Sequence, residues 1–526
     1  MFGHPPAWLD DAIFYEIYPQ SFYDSNGDGI GDLNGIMQKL DYIQGLGCNA
    51  LWINPCFVSP FEDAGYDVAD YYKIAPRYGT NADAKRLFAA AHKRGMRVLF
   101  DLVPGHTSWQ HPWFQASSRH ARSKYHDWYL WTSTAWEAAG PGLETIRGKH
   151  ERDAGYVTNF FYSQPALNFG FAKPDPAKKW QLPTSHPVVK QVTDEIKKIM
   201  RFWLDLGADG FRVDMAGFMV KNDPGQKATI KFWQGLSKDL AKRYPQAALV
   251  AEWGMPARAL RAGYDMDFLL HFGNEGYNSL FRKGDRSYFD PRGRGESRTF
   301  WTEYAQQRQG TERLGYICIP SGNHDMDRLA RGRTAEDLKV CFAFLLSMPG
   351  APYIYYGDEI GMGYVEGLAS KEGGYNRTGS RTPMQWTGAK NRGFSTAEPK
   401  KLYLPTDPRR GSPDVLAQVS RDASLLETVR ALTHLRHATP ALKAGAGIQA
   451  LHFGSGREPM AYLRTRGKQQ VLVVLHPYAK AAALELRLPK ATGLKPLMAH
   501  RMRAEAARGH IKLQAQGRSF GIFELG

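Results

Sequence analysis

Arg97-Val-Leu-Phe-Asp-Leu-Val-Pro-Gly-His106 carries a short, mostly apolar strand into a turn that ends on a histidine. A strand apolar on both faces belongs inside a parallel sheet, and a reactive residue just past its C-terminal end belongs at that sheet's binding face. Working outward, seven further runs have the same character: Ala12 to Tyr18, Ala50 to Asn54, Gly210 to Asp214, Ala248 to Glu252, Asp267 to His271, Tyr316 to Pro320 and Pro352 to Tyr356. Amphipathic stretches separate them, among them Ile36 to Leu46, Ala82 to Arg94, Val188 to Leu206 and Thr229 to Arg243. This βα repetition predicts an α/β fold, a (β/α)8 TIM barrel formed by residues 1–106 and 186–441. An open doubly wound sheet is the alternative on pattern alone. Polar residues placed just beyond several different strands favour the barrel.

Two stretches break the repeat. Residues 107–185 are rich in Trp, Tyr, His and Gly and form an inserted lobe after strand three. Residues 442–526 change to short alternating runs such as Met460-Ala-Tyr-Leu-Arg and Gln470-Val-Leu-Val-Val-Leu, which predict a C-terminal antiparallel β-sandwich. The 526 residues are 43% hydrophobic and 23% charged, a globular composition. The net charge of +16 forms no long basic stripe and accompanies no nucleic-acid motif, so a solvated basic surface is the reading and a nucleic-acid partner is excluded. No apolar run approaches a membrane span, and the N-terminus has no basic start followed by an apolar segment. The four cysteines, Cys48, Cys56, Cys318 and Cys341, show no CxxC spacing and sit mostly in apolar runs. Buried free thiols in a cytoplasmic, unexported chain are expected.

Four motifs carry the chemistry: Asp101 to His106, Gly210-Phe-Arg-Val-Asp214, Ala251-Glu252-Trp253 and Gly322-Asn-His-Asp325. Each closes a strand-like run, which brings the acids Asp214, Glu252 and Asp325, two histidines and an arginine toward one point. Retaining cleavage of a glycosidic bond needs one carboxylate as nucleophile and a second carboxyl as acid and then base, about 5 Å apart. Arg212 lies two residues from Asp214 on the same strand face and would hold it ionised.

With these motifs in this order, the chain from about Phe14 to Leu442 resembles the α-amylase family of glycoside hydrolases. The finer likeness is to the branch of α-glucosidases, oligo-1,6-glucosidases and trehalose synthases. The resemblance implies Asp214 as nucleophile, Glu252 as acid and base, and Asp325 as transition-state stabiliser, with His106, His324 and Arg212 assisting. Asp63-Ala-Gly-Tyr66 resembles the branch's pattern after strand two, where the tyrosine stacks on the sugar. The resemblance pairs Asp63 with Arg381 of Arg-Thr-Pro-Met-Gln-Trp386, walling the pocket so that it takes a terminal sugar. Gln164-Pro-Ala-Leu-Asn168 resembles the branch's signature in the inserted lobe. The segment Leu345 to Met362, followed by that arginine motif, is similar to trehalose synthases.

The loop Asp24-Ser-Asn-Gly-Asp-Gly-Ile-Gly-Asp32 spaces hard oxygen donors at alternate positions among glycines, as calcium loops do. Asp24, Asn26, Asp28, Asp32 and the Ile30 carbonyl are expected to hold one structural Ca²⁺.

Three positions depart from the family pattern. Gly105 stands where relatives usually carry Asn before the histidine, Met215 follows the nucleophile, and Ala166 replaces a frequent Asp in the lobe motif. The expected activity is a retaining α-glucosidase acting on the non-reducing end of short α-linked gluco-oligosaccharides. Glucosyl transfer or isomerisation, such as maltose to trehalose, is the alternative, and an inactive amylase-fold binding subunit is the remote one. The expected partner is the oligosaccharide alone, with no nucleic acid or membrane, and the chain acts as a monomer or homodimer.

Overall fold

The computed structural model describes residues 5–489 and 491–526. Eight parallel strands form the central sheet: β1 (Phe14–Ile17), β2 (Ala50–Ile53), β3 (Arg97–Leu102), β4 (Gly210–Val213), β5 (Ala248–Ala251), β6 (Met266–Phe268), β7 (Tyr316–Cys318) and β8 (Tyr353–Tyr355). They pair in sequence order, β1 also pairs with β8, and a bridge between Pro320 and Tyr353 brings β7 to β8 so that the barrel nearly closes. The strands are almost wholly buried because helices cover the outside and side chains fill the inside. Inside, Phe14 stacks on Tyr353 with ring centroids 4.3 Å apart, and Trp52 and Phe268 pack against the same ring. Gly210 opens β4 at φ +147°, where a Cβ would lie 2.0 Å from the Ala248 carbonyl oxygen, so only glycine lets β4 and β5 approach.

The helices follow from their periodicity and caps. Pro187–Leu206 turns Val189, Val192, Ile196, Met200 and Trp203 inward at three- and four-residue spacing, and Pro187 at its first position starts it. Thr80 and Asp83 form a capping box that starts Asn81–Lys93, and Thr334 and Asp337 do the same for Ala335–Ser347.

The lobe after β3 holds helix Pro112–Ser117 and the small hairpin Thr145–Ile146 with Tyr156–Val157. Phe114, Trp131, Tyr156 and His150 pack as one aromatic cluster in it. At the C-terminus six antiparallel strands run from Gly447 to Leu525. The last, His510–Leu525, pairs with Ala482–Arg487 through its first half and with Gln469–His476 through its second. The sheet thereby folds over a core that joins Leu463 and Leu472 to Leu486, Ile511 and Leu513. No helix among the described residues is long and apolar enough to cross a membrane.

Candidate active site

Residues at the C-terminal ends of β3, β4 and β5 meet because the strands are in register there. Asp101 on β3 lies beside Arg212 on β4, the Asp214 amide donates to the Leu102 carbonyl, and the Glu252 amide donates to that of Val213. The Arg212 guanidinium is buried and serves three acids. Its Nη1 lies 2.8 Å from Asp101 Oδ1 and 2.9 Å from Asp214 Oδ1, and its Nη2 pairs with Glu252 Oε1. Burial and the Glu252 carboxylate push the Asp214 pKa well above the usual range, and Arg212 offsets part of that. The two carboxyls share the one guanidinium, so the Glu252 charge lies close enough to Asp214 to oppose its ionisation. Asp101 is likewise pushed up, to about 6, by burial against the pull of Arg212.

Asp325 has the opposite balance. The guanidiniums of Arg377, with Nη1 at 2.7 Å, and Arg381, with Nη2 at 2.9 Å, oppose its burial and hold it far below the carboxylate range. His324 is buried between Glu16, 2.9 Å from its Nδ1, and the Tyr66 hydroxyl, 2.7 Å from its Nε2. Burial drives its pKa well down, so the imidazole is neutral. Tyr66 also donates to Asp101 Oδ2 at 3.0 Å and stacks on the His324 ring, centroids 5.2 Å apart. His106 is neutral as well, its pKa brought down to about 4 by burial, and its Nε2 lies 2.9 Å from the Tyr66 carbonyl.

Asp63, Tyr66, His106, Asp214, Glu252 and Asp325 all line one cleft of about 610 Å³ at the barrel mouth. Arg212, His324 and Arg381 lie buried beneath it. Exposed rings of Phe160, Phe218, Phe272 and Tyr375 rim the opening, so apolar faces surround a polar floor.

One expected contact is corrected. Arg381 does not pair with Asp63: it anchors to Asp325 and donates through Nε to the His324 carbonyl at 2.8 Å. Arg377, four residues earlier, takes the place beside Asp63 at 3.7 Å while also holding Asp325. Gln164 of the inserted lobe donates to Asp63 Oδ2 at 2.7 Å, and burial pushes Asp63 up to about 6. The wall at this end of the cleft is thus Asp63, Gln164 and Arg377.

Glu16, Asn54 and Arg377 were missed by sequence reasoning as site residues, and Asp101, quoted in the first motif, was given no role. Glu16 and Asp101 had a signal, each being an acid within a run of apolar strand residues; Asn54 and Arg377 had none. The departures acquire structural partners. Asn159 of the lobe occupies the space before His106: its amide nitrogen lies 3.4 Å from His106 Nδ1 and would be 2.7 Å from any Cβ on Gly105. Lys221 Nζ holds Asn159 Oδ1 at 2.7 Å. Met215 sits in the left-handed region at φ 46°, and its amide donates to Glu252 Oε2 at 3.0 Å. Strain of this kind at a catalytic position is sustained by the surrounding packing.

In the loop from Asp24 to Asp32 the side-chain oxygens accept the loop's own amides. Asp24 accepts those of Asn26, Gly27 and Gly29, Asn26 that of Asp28, and Asp28 that of Ile30; Asp32 caps helix Leu33–Gln38. Among the described residues no three His, Cys, Asp or Glu side chains cluster as a metal site. Asp24 and Asp32 are buried, and among the described residues no Lys, Arg or His side chain pairs with either carboxylate.

Comparison with known proteins agrees with this geometry. The "Alpha amylase, catalytic domain" family matches residues 16–445. Over 87% of the chain, 32% of residues are identical to the trehalose synthase/amylase TreS of Mycobacterium tuberculosis, 80% of which is covered. Over 98% of the chain, 30% are identical to a probable alpha-glucosidase of Rhizobium meliloti, 96% of which is covered. An isomaltulose synthase mutant from Erwinia rhapontici, solved with D-glucose, superposes over the full length of both chains with a TM-score of 0.82 and 26% identity. Strand-end acids gathered on one buried arginine, in a barrel matched from residue 16 to residue 445, show that the chain belongs to the alpha-amylase family of glycoside hydrolases.

Proposed function

We propose that the protein cleaves α-glucosidic bonds at the non-reducing end of short gluco-oligosaccharides with retention of anomeric configuration. The observation that carries this reading is that one buried Arg212 guanidinium holds both Asp214 and Glu252. Retaining enzymes hold their two carboxyls closer together than inverting enzymes, which seat a water between them, and a shared guanidinium favours the closer arrangement. Asp214 attacks the anomeric carbon while Glu252 gives its proton to the departing oxygen. Glu252 then takes a proton from the incoming hydroxyl as the Asp214 ester bond breaks. Asp325, held ionised, accepts hydrogen bonds from the ring hydroxyls, and Tyr66 offers its ring as the floor of that subsite. The wall of Asp63, Gln164 and Arg377 favours a terminal glucosyl unit.

Hydrolysis is the first reading. The 32% identity to a trehalose synthase/amylase favours a second, in which a sugar hydroxyl replaces water as acceptor. Incubation with maltose separates them: free glucose supports hydrolysis, and trehalose or lengthened saccharides support transfer. An unchanged maltose pool would reject both.

A calcium ion held by Asp24, Asn26, Asp28, Asp32 and the Ile30 carbonyl is part of this proposal. It would brace the loop after β1 electrostatically and take no part in the chemistry. The four buried free thiols fit a reducing, cytoplasmic setting.

A further inference from the structure

A second cleft, of about 730 Å³, adjoins the catalytic one and shares His271, Asp325, Asn376 and Arg377 with it. Seven of its lining side chains are Arg or Lys and three are Asp. Most of those cations are answered: Arg292 by Asp290 at 2.7 Å, Arg331 by Asp327 at 2.6 Å, Arg377 by Asp325 at 2.7 Å, Arg328 by Asp358 at 3.2 Å and Lys283 by Glu275. Arg282 and Arg333 are not, since among the described residues neither has a carboxylate oxygen within 4.0 Å.

Arg333 donates to the carbonyls of Phe281, Phe289 and Leu329, each at 2.9 Å. Arg282 donates to the carbonyls of Asp327 and Ser321, and its Nε has no acceptor. Carbonyls satisfy N–H groups but carry no charge, and the nearest acids, Asp358 for Arg282 and Asp290 and Asp337 for Arg333, stand beyond ion-pair distance, so each charge is only partly compensated. Arg436 and Arg464 are also bonded only to carbonyls, but they are sealed between the barrel and the C-terminal sheet. Arg282 and Arg333 instead border a cleft that is open to solvent and to the catalytic site.

We propose that this cleft is an anion subsite that takes the phosphate of a phosphorylated sugar acceptor, whose hydroxyl reaches past Asp325 and Arg377 to the glucosyl unit. The inference rests on the glucosyl-transfer chemistry of Asp214 and Glu252. A phosphate carries about two negative charges near neutrality and three acceptor oxygens, which suits two guanidiniums that no carboxylate pairs directly and whose Nη1 atoms each keep a second N–H. In the step, the acceptor hydroxyl oxygen bonds the anomeric carbon, the ester bond to Asp214 breaks with its electron pair returning to the carboxylate, and the hydroxyl proton passes to Glu252. The phosphate itself does not react.

The test compares glucose, glucose 6-phosphate and inorganic phosphate as ligands by thermal shift, and as modulators of aryl α-glucoside turnover, in a buffer free of phosphate. Glucose 6-phosphate should bind at least about tenfold tighter than glucose, and inorganic phosphate should weaken its binding by competition. The advantage should shrink several-fold in Arg282→Gln and in Lys283→Glu, which reverses a charge in the lining of the cleft. Equal binding of glucose and glucose 6-phosphate overturns the proposal. So does stabilisation by inorganic phosphate with no advantage for glucose 6-phosphate, which would assign the cleft to a free anion. Absence of aryl glucoside turnover would strike the reading of Asp214 and Glu252 instead, and the thermal-shift comparison would still decide the anion subsite.

Discussion

At position 214 chemistry and stability pull in opposite directions. Burial and the Glu252 carboxylate raise the Asp214 pKa well above the ordinary value of 3.8, so the folded state binds that proton more tightly than the unfolded chain does. Stability therefore falls as pH rises from the unfolded value through the folded one, and ionising this carboxylate in the folded state is a cost. Asp214→Asn should leave the melting temperature at pH 7 unchanged or higher while aryl α-glucoside turnover drops by about three orders of magnitude or more. A variant that melts early would mark Asp214 as a structural brace for Arg212. The same sign governs the pH profile: the acid limb of kcat/KM, where Asp214 takes up its proton, should lie above the ordinary aspartate range. Gly105 and Asn159 give a second test at this scale. Asn159→Ala removes one hydrogen bond to neutral His106, about 0.5–1.5 kcal/mol and so up to about tenfold in kcat/KM. Gly105→Asn alone should be harmful, because its Cβ would meet the Asn159 amide at 2.7 Å. Combined with Asn159→Ala it should restore activity, and additive losses would show that Asn159 does not stand in for the missing side chain.

Among the elements, those that sequence could read were the ones whose burial is uniform. All four residues of β2, β4 and β5 are buried, so each stands out as an apolar run ended by a polar residue. The run expected from Asp267 to His271 is a strand only over Met266–Phe268, because the chain bends away toward Asn274, whose side chain accepts the Leu270 amide. Leu494–Ala507 was not legible as one strand: Arg501, Arg503 and Glu505 alternate with Met502, Ala504 and Ala506, but the half before them carries Lys495 and Pro496, and its register against His510–Leu525 shifts between Pro496 and Met498 and between His500 and Met502. The lobe's strands are two residues each and depend on aromatic packing, which has no period. Arg377 and Arg381 lie four residues apart on the same turn, so spacing could not choose which would face Asp63. The loop from Asp24 to Asp32 shows where reading by type of donor still needs measurement. If calcium binds there, chelation should lower the melting temperature, since a ligand at 100 times its Kd contributes about 2.7 kcal/mol to the folded state. Initial rates below the transition should change little, because the loop follows β1 and contributes no acid to the cleft. A melting curve indifferent to chelator and to added Ca²⁺ would refute the ion.

For the whole molecule, the two ends of the barrel divide function from stability. The cleft opens at the C-terminal ends of the strands, whereas the C-terminal sheet docks where helix Ala335–Ser347 leads into the start of β8, at the opposite end. Two buried arginines bolt that junction. Arg436 donates to the carbonyls of Leu346, Met348 and Gly350 at 2.8, 2.9 and 2.6 Å. Arg464 reaches from the sheet to the carbonyls of Ser347 and Lys443. Burial lowers their pKa values to about 10 and about 9, so both guanidiniums remain charged at neutral pH and keep all their donors. Arg464→Met keeps most of the volume but strips donors from buried carbonyls, each loss costing about 1–3 kcal/mol. The expected result is a melting temperature lower by several degrees, with KM and kcat at 25 °C within about twofold of the parent. Arg381→Met, under the cleft, should do the reverse: it frees Asp325 from one of its cations and the His324 carbonyl from its donor, so kcat/KM should fall by more than the melting temperature explains. If Arg464→Met instead reduced kcat in proportion to stability, the two ends of the barrel would be mechanically coupled, and the division between a catalytic mouth and a stabilising base would fail.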